Sequence, residues 1–333
     1  MRSADSVNDG RIVLVATGGL GDVILFSPVL LAARRAFPKA EVILITASPL
    51  ARELYSAAAE LSRIEIVDTN RKLAPALYAR LWRLGRQFRR GNGTEVMVCA
   101  SRLSPWLVRL FTIVCRPRNV IALTSPPENM ADLEVNETLA RRLAPDVSTA
   151  VFAPVTVGTI ARMETLLREK YGVADVGRLV AIYPSTAKPN RPRLSLQHLL
   201  EVAAKIAGLI NGQVVILGGA RDCPECQAIL SNRKEILNLT GALTIAETAA
   251  LLARARLAIC HDGGIMHLAG AVGCPLVAIM PGTALYYRPP GEFVRVVKQS
   301  LPGEAQAGDP RNSKEQVYQV AVDLLKATAR REN

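Results

Sequence analysis

The chain has 333 residues, half of them hydrophobic, and its 41 lysines and arginines exceed its 29 acids to give a formal net charge of +12. That length suits two domains rather than one, and the hydrophobic share is ample for burying two cores. No apolar run reaches membrane-spanning length, and the polar first ten residues, MRSADSVNDG, lack the apolar stretch of a secretory signal, so a cytoplasmic protein is expected.

Strand-like and helix-like runs alternate along the whole chain. In the first half RIVLVA, EVILIT, SRIEIV, EVMVCA and NVIAL read as strands, separated by helical stretches near 22–36, 49–59, 75–90, 103–115 and 131–143. These strands are rich in Val, Ile and Leu without clean alternation, as expected of a parallel sheet covered on both faces. The stretch 144–160 loses this rhythm and is expected to be a linker. A helix at 161–171 follows, and the alternation restarts at RLVAIYP (178–184). It continues through QVVILGG, EILNLTG, ARLAICHDGG and CPLVAIMPG. A last helix at 314–331, with Val317, Val320, Ala321, Leu324 and Leu325 at helical spacing, closes the chain and is a candidate to pack on the first domain.

The pattern predicts an α/β protein of two tandem doubly wound parallel sheets, one over residues 11–150 and one over 161–333. Ligands of such sheets bind beyond the carboxyl ends of the strands, and two tandem sheets are expected to face each other across a cleft. The loops directly after strands (17–22, 100–105, 184–193, 218–225, 261–267 and 281–290) are therefore the informative ones.

Cysteine and charge narrow the chemistry. Cys99, Cys260 and Cys274 lie in or beside strands, where a thiol behaves as a small hydrophobe. Cys223 and Cys226 form a lone CPEC without a second pair or a nearby histidine pair, which argues against a zinc site and reads as a redox pair or as ordinary thiols at a helix start, so no metal or cofactor is expected. Residues 71–118 hold eleven Lys or Arg against one acid, Glu95. Such a run is either solvated surface or a face turned toward something anionic, a phosphorylated acceptor or the cytoplasmic membrane leaflet. Nucleic acid is not indicated, because aromatic residues are few and no recognition motif is present.

Four loops carry candidate chemistry. The first, TGGLGD, has Gly19 and Gly21 in a partial dinucleotide fingerprint whose third position is Ile24, which argues against NAD. Its Asp22 reads by residue type as a helix cap. With Arg102, in the loop after the fourth strand, these two glycines are the acceptor-side candidates. The loop YPSTAKPNRPRLS concentrates Lys188, Arg191 and Arg193, with Ser185 and Thr186 as hydroxyl donors, in a pattern suited to a diphosphate. GGARDCPE offers Asp222 or Glu225 to a ribose diol, or as caps. In CHDGGIMHLAG, Gly263 and Gly264 open a helix whose free N–H groups suit a diphosphate, leaving Asp262 to meet sugar hydroxyls. His267 lies on that helix, either as a ligand contact or as a histidine satisfied by a nearby carbonyl.

Taken together, GLGDVILFSPVLLAARRAFPKAEVILIT, LVAIYPSTAK, VVILGGARD and NLTGALTIAETAALLARARLAICHDGGIMHLAGAVGCPLVAIMPGT resemble glycosyltransferase family 9, the bacterial heptosyltransferases of lipopolysaccharide core assembly. The resemblance implies a GT-B fold, with a nucleotide-sugar donor on the second domain and a glycan or anionic glycolipid acceptor on the first. It implies metal-independent, inverting transfer of heptose from ADP-heptose. It assigns the catalytic base to Asp22 and the diphosphate contacts to Ser185, Thr186, Gly263 and Gly264. The conserved acid of the donor loop falls on Asp262, and a ribose partner on Asp222. The chain departs from the family where Gly263 replaces a hydroxyl residue, where PRLS leaves Lys188, Arg191 and Arg193 competing for one basic role, and where His261 replaces a small or amide residue. Another nucleotide sugar on the same fold, or a catalytically silent nucleotide-binding homologue, are the alternative readings.

Overall fold

The computed structural model describes residues 10–69, 75–89, 93–127, 130–185, 194–220, 226, 233, 235–281, 286–299 and 310–332. The chain divides into two compact units, Met1–Phe152 and Ala153–Asn333.

In the first unit β1 (Arg11–Ala16) is followed by α1 (Leu20–Leu25), α2 (Ser27–Ala36), β2 (Glu41–Thr46), α3 (Pro49–Tyr55) and β3 (Arg63–Ile66). Then come α4 (Pro75–Arg89), β4 (Thr94–Cys99), α5 (Pro105–Cys115), β5 (Asn119–Ile121) and α6 (Asp132–Leu143). The five strands are all parallel, in the order β3-β2-β1-β4-β5. The central strand β1 is wholly buried, pairing Val13 with Ile43 on one side and with Met97 on the other. One face of the sheet packs Val13, Val15, Ile43, Ile45 and Met97 against Leu81, Leu84 and Phe88 of α4 and Leu107 and Phe111 of α5. α2 packs against α6. The single helix expected over 22–36 is two, because Phe26 ends α1 and Pro28 in the first turn of α2 has no N–H to continue the ladder. The end of the unit is fastened by Phe152, whose N–H donates to Ser27 Oγ at 2.9 Å and whose carbonyl accepts from Tyr55 Oη at 2.7 Å.

The second unit begins with α7 (Val157–Tyr171), which starts inside the stretch expected to be linker because Thr156 caps it, accepting from Thr159 N. It continues with β6 (Leu179–Tyr183), α8 (Leu196–Leu209), β7 (Gln213–Ile216), β8 (Leu237–Asn238), α9 (Ile245–Arg254), β9 (Leu257–His261), α10 (Gly264–Ala271), β10 (Leu276–Pro281), β11 (Val294–Gln299) and α11 (Pro310–Glu332). Its parallel sheet has the order β11-β10-β9-β6-β7-β8. Read from β8, that is the doubly wound order of a dinucleotide-type fold. α11 packs on α8, β10 and β11 of its own unit, with Val317, Ala321 and Leu324 in the core. β11 escapes the periodicity argument because Arg295 and Lys298 stand exposed on an edge strand that buries mainly Val297 and Gln299.

Candidate active site

Both sheets reverse their strand order once, and each reversal opens a crevice at the carboxyl ends of its two central strands. In the first sheet the reversal lies between β1 and β4, so the loops after those strands, with Gly18, Gly19 and Arg102, are the ones it brings together. In the second it lies between β6 and β9, which pairs the loop opening at Ser185 with the Asp262 turn.

At the first crevice Gly19 is the N-cap of α1, and Asp22 stands at the third helical position rather than at the cap itself. Its Oδ2 accepts from Gly19 N at 2.7 Å. This is the backward half of a capping box; glycine has no side chain to supply the forward half. Gly18 is required for the arrangement, because a Cβ there would overlap the Asp22 carboxylate. Asp22 keeps access to solvent. Even so, desolvation by surrounding protein raises its pKa above the usual carboxylate value, and the nearby charge of Asp132 adds to the rise, while the amides of Gly19 and Asp22 oppose it. A carboxylate so placed is a stronger proton acceptor than a free aspartate.

Arg102, with φ 55°, turns back to donate from Nε to Asp132 Oδ1 at 2.8 Å and from its terminal nitrogen to Met130 O at 2.9 Å. Asp132 is buried at the start of α6, and desolvation raises its pKa against the pull of Arg102. One helical turn on, Asn136 accepts from Ser101 N at 3.2 Å and donates to Leu25 O at 3.1 Å. The polar face of α6 therefore ties the loop after β4 to the end of the helix carrying Asp22. Asp132 and Asn136 were not singled out in the sequence; Asp132 could have been found only as an acid opening a helix.

At the second crevice His261, 1 % exposed, ends β9. Its Nδ1 lies 2.9 Å from Pro184 O, and its Nε2 accepts from Leu194 N at 3.2 Å. Both contacts fit one neutral tautomer, Nδ1–H, so the ring staples the two ends of the basic loop 185–193. Gly263 caps α10 in extended backbone, and its lack of a side chain has a steric cause: a Cβ would come within 2.8 Å of Tyr183 Cε1 and 3.3 Å of the Tyr183 hydroxyl oxygen. The departure at 263 is thus matched by a phenol at the end of β6, which brings its own hydroxyl to the start of α10. Tyr183 too was missed from sequence, since it reads there as one more strand residue.

Asp262 is buried beside this helix opening, and Gly264 is its first helical residue. His267, in the following turn, is buried with Nδ1 lacking a hydrogen-bond partner among the described residues. Burial pushes its pKa down to about 4, which keeps the ring neutral. Ser185 is described; Thr186, Lys188, Arg191, Arg193, Asp222 and Glu225 lie outside the described residues, as does Cys223. Cys226 is buried in the core of the second unit. Cys99, Cys115 and Cys274 are free, buried thiols whose pKa values burial raises to about 12, which leaves them unreactive. Among the described residues no group of three or more His, Cys, Asp or Glu could hold a metal ion.

The family model of glycosyltransferase family 9 (heptosyltransferase) matches residues 164–299, which contain β6 through β11 and every loop of the second crevice. The resemblance to glycosyltransferase family 9 holds. Lipooligosaccharide heptosyltransferase 2 of Haemophilus influenzae is 31 % identical over 109 residues, which cover 30 % of this chain and about a third, 32 %, of that relative's length. Among solved structures, a family 9 glycosyl transferase from Veillonella parvula superposes with a TM-score of 0.80 at 18 % identity, covering 96 % of this chain and 98 % of that one. The ADP-heptose lipopolysaccharide heptosyltransferase II of E. coli gives 0.69 at 17 % identity, over 94 % and 99 %. Identities this low establish the fold, and the fold is GT-B: two Rossmann-like units in tandem.

Proposed function

We propose that this chain is an inverting glycosyltransferase that moves a sugar, heptose from ADP-heptose, onto a lipopolysaccharide-core or related cell-surface acceptor in the cytoplasm. The observation that carries the reading is the recurrence of one device at two switch points. In the first unit it presents a solvent-accessible carboxylate with a raised pKa. In the second it presents a glycine-opened helix start beside a buried acid. The family match over the second unit and a solved E. coli relative described with ADP support the choice of donor.

In this reading the second unit binds the donor and the first unit the acceptor. The N–H groups at the start of α10 and the Tyr183 and Ser185 hydroxyls meet the diphosphate, with Thr186 and one of Lys188, Arg191 and Arg193 completing the set. Asp262 and His267 line the sugar, and Asp222 or Glu225 takes the ribose. Gly19, Gly21 and Arg102 shape the acceptor side. An acceptor hydroxyl oxygen then bonds to the anomeric carbon from the face opposite the diphosphate. The carbon–oxygen bond to the diphosphate breaks with its electron pair, ADP departs, and Asp22 receives the hydroxyl proton. No step requires a metal ion.

The test is an assay of purified protein with ADP-heptose and a panel of other nucleotide sugars, following nucleoside diphosphate release and the mass of a truncated lipopolysaccharide-core acceptor. Heptose addition from ADP-heptose is the expected result. Transfer from a different nucleotide sugar would replace the donor, and binding without turnover for every donor would make the chain a silent homologue.

A further inference from the structure

The segment richest in positive charge builds a two-helix surface that carries four of the six large exposed apolar side chains among the described residues of the first unit. α4 and α5 pack side by side on one face of the sheet, each burying a stripe in the same core. Their seam is close: a Cβ on Gly85 would lie 3.6 Å from Val114 O. On the outer surface along that seam stand Tyr78 and Trp82 from α4 and Trp106 and Ile113 from α5. Trp82 is 59 % exposed and Ile113 70 %. Both helices begin at the carboxyl edge of the sheet, so Tyr78 and Trp106 lie toward the edge that carries the candidate acceptor loops, with Trp82 midway along α4.

Arginines surround this apolar strip. Arg80 and Arg118 are paired with Glu65 and Glu95. Arg83, Arg86, Arg109 and Arg116 are exposed and make no ion pair among the described residues, and Arg86 lies over the Trp82 ring at 4.8 Å. Uncompensated cations interleaved with indole and aliphatic side chains match one kind of surface, where phosphate lies directly above hydrocarbon. A polyanion without hydrocarbon would satisfy the arginines and leave Ile113 and the indoles in water.

We infer that the outer face of α4 and α5 docks on an anionic phospholipid bilayer, with Trp82, Trp106 and Ile113 at the acyl boundary and the four arginines on lipid phosphates. Docking so placed would hold the acceptor edge of the first unit at the membrane surface. The inference depends on no step of the transfer reaction and is tested without donor or acceptor.

The chain has two tryptophans, both on this face, so their fluorescence reports this surface without a label. Full-length protein is mixed with phosphatidylcholine vesicles, with or without phosphatidylglycerol. Anionic vesicles are expected to shift the emission to the blue, and brominated acyl chains to quench it. Raising the salt from about 0.1 M to about 1 M shortens screening from about 10 Å to about 3 Å and should release the protein. Each surface arginine contributes about a fivefold factor in partitioning, so Arg83→Gln/Arg86→Gln/Arg109→Gln should weaken binding roughly a hundredfold. These exposed changes should leave the melting temperature, and transfer to a soluble acceptor fragment, unchanged.

Absence of a shift on anionic vesicles at low salt would overturn the inference. So would equal binding to phosphatidylcholine alone, binding only when lipopolysaccharide is present, or a triple variant that binds like the wild type. Loss of vesicle binding with transfer intact separates this surface from the catalytic reading.

Discussion

Replacing Asp22 by asparagine separates its chemical role from its structural one. The asparagine carbonyl can still accept from Gly19 N, the bond that Oδ2 makes at 2.7 Å, so the start of α1 keeps its tether while the charge is removed. Loss of a general base lowers turnover by about 10² to 10⁴-fold. The stability effect has the opposite sign. Because folding raises the Asp22 pKa, its contribution to stability is present below the unfolded pKa near 4 and is lost as pH rises through the folded value. At neutral pH the charged carboxylate therefore weighs against the fold, and Asp22→Asn should melt no lower than the wild type, with the difference closing under acid conditions. Asp22→Ala loses the tether too, at about 1 kcal/mol, or roughly 2–4 °C for a domain of this size. The assay is paired: turnover from ADP release, and melting temperature between acid and neutral pH. The reasoning fails if Asp22→Asn melts well below wild type and loses activity in proportion, or if it keeps turnover within tenfold.

Further consequences follow from the two crevices. Transfer should decline on the acid side through a pKa above the usual carboxylate value of 3.8, a limb that Asp22→Asn abolishes; a pH–rate profile checks it. Gly18→Ala, whose methyl would overlap the Asp22 carboxylate, should lower kcat with little change in donor KM, whereas a rise confined to KM would place Asp22 outside the reaction. His261→Ala leaves the buried Leu194 N–H without its acceptor, at about 1–3 kcal/mol, and should raise donor KM by loosening the basic loop; His261→Gln should recover part of both losses. Tyr183→Phe keeps the ring that excludes a side chain at 263 and removes only the hydroxyl, so it should weaken ADP binding by calorimetry.

The sequence was strongest where a local rule leaves one answer. Ten of the strands could be read from Val/Ile/Leu runs, most plainly β1, β9 and β10, which are buried along their whole length. Edge strand β11 could not, since Arg295 and Lys298 are tolerated where one side meets solvent. The residue types of the candidate site could be named from the sequence: Asp22 behind its glycines, and Asp262 before a glycine-opened helix. Their surroundings could not. That Asp132 raises the Asp22 pKa and that Arg102 is committed to Asp132 depend on α6 lying across from α1, 111 residues from Leu25 to Asn136 along the chain. His261 looked like an irregular substitution and proves to staple a loop, because β6 and β9 are hydrogen-bonded neighbours although more than seventy residues separate them. Gly263 looked like a missing hydroxyl until Tyr183 was found in the space a side chain would fill. Periodicity and turn chemistry act over a few residues and are written into the chain directly. Hydrogen-bond partners, desolvation and steric exclusion depend on which strands become neighbours, and only the packed sheet decides that.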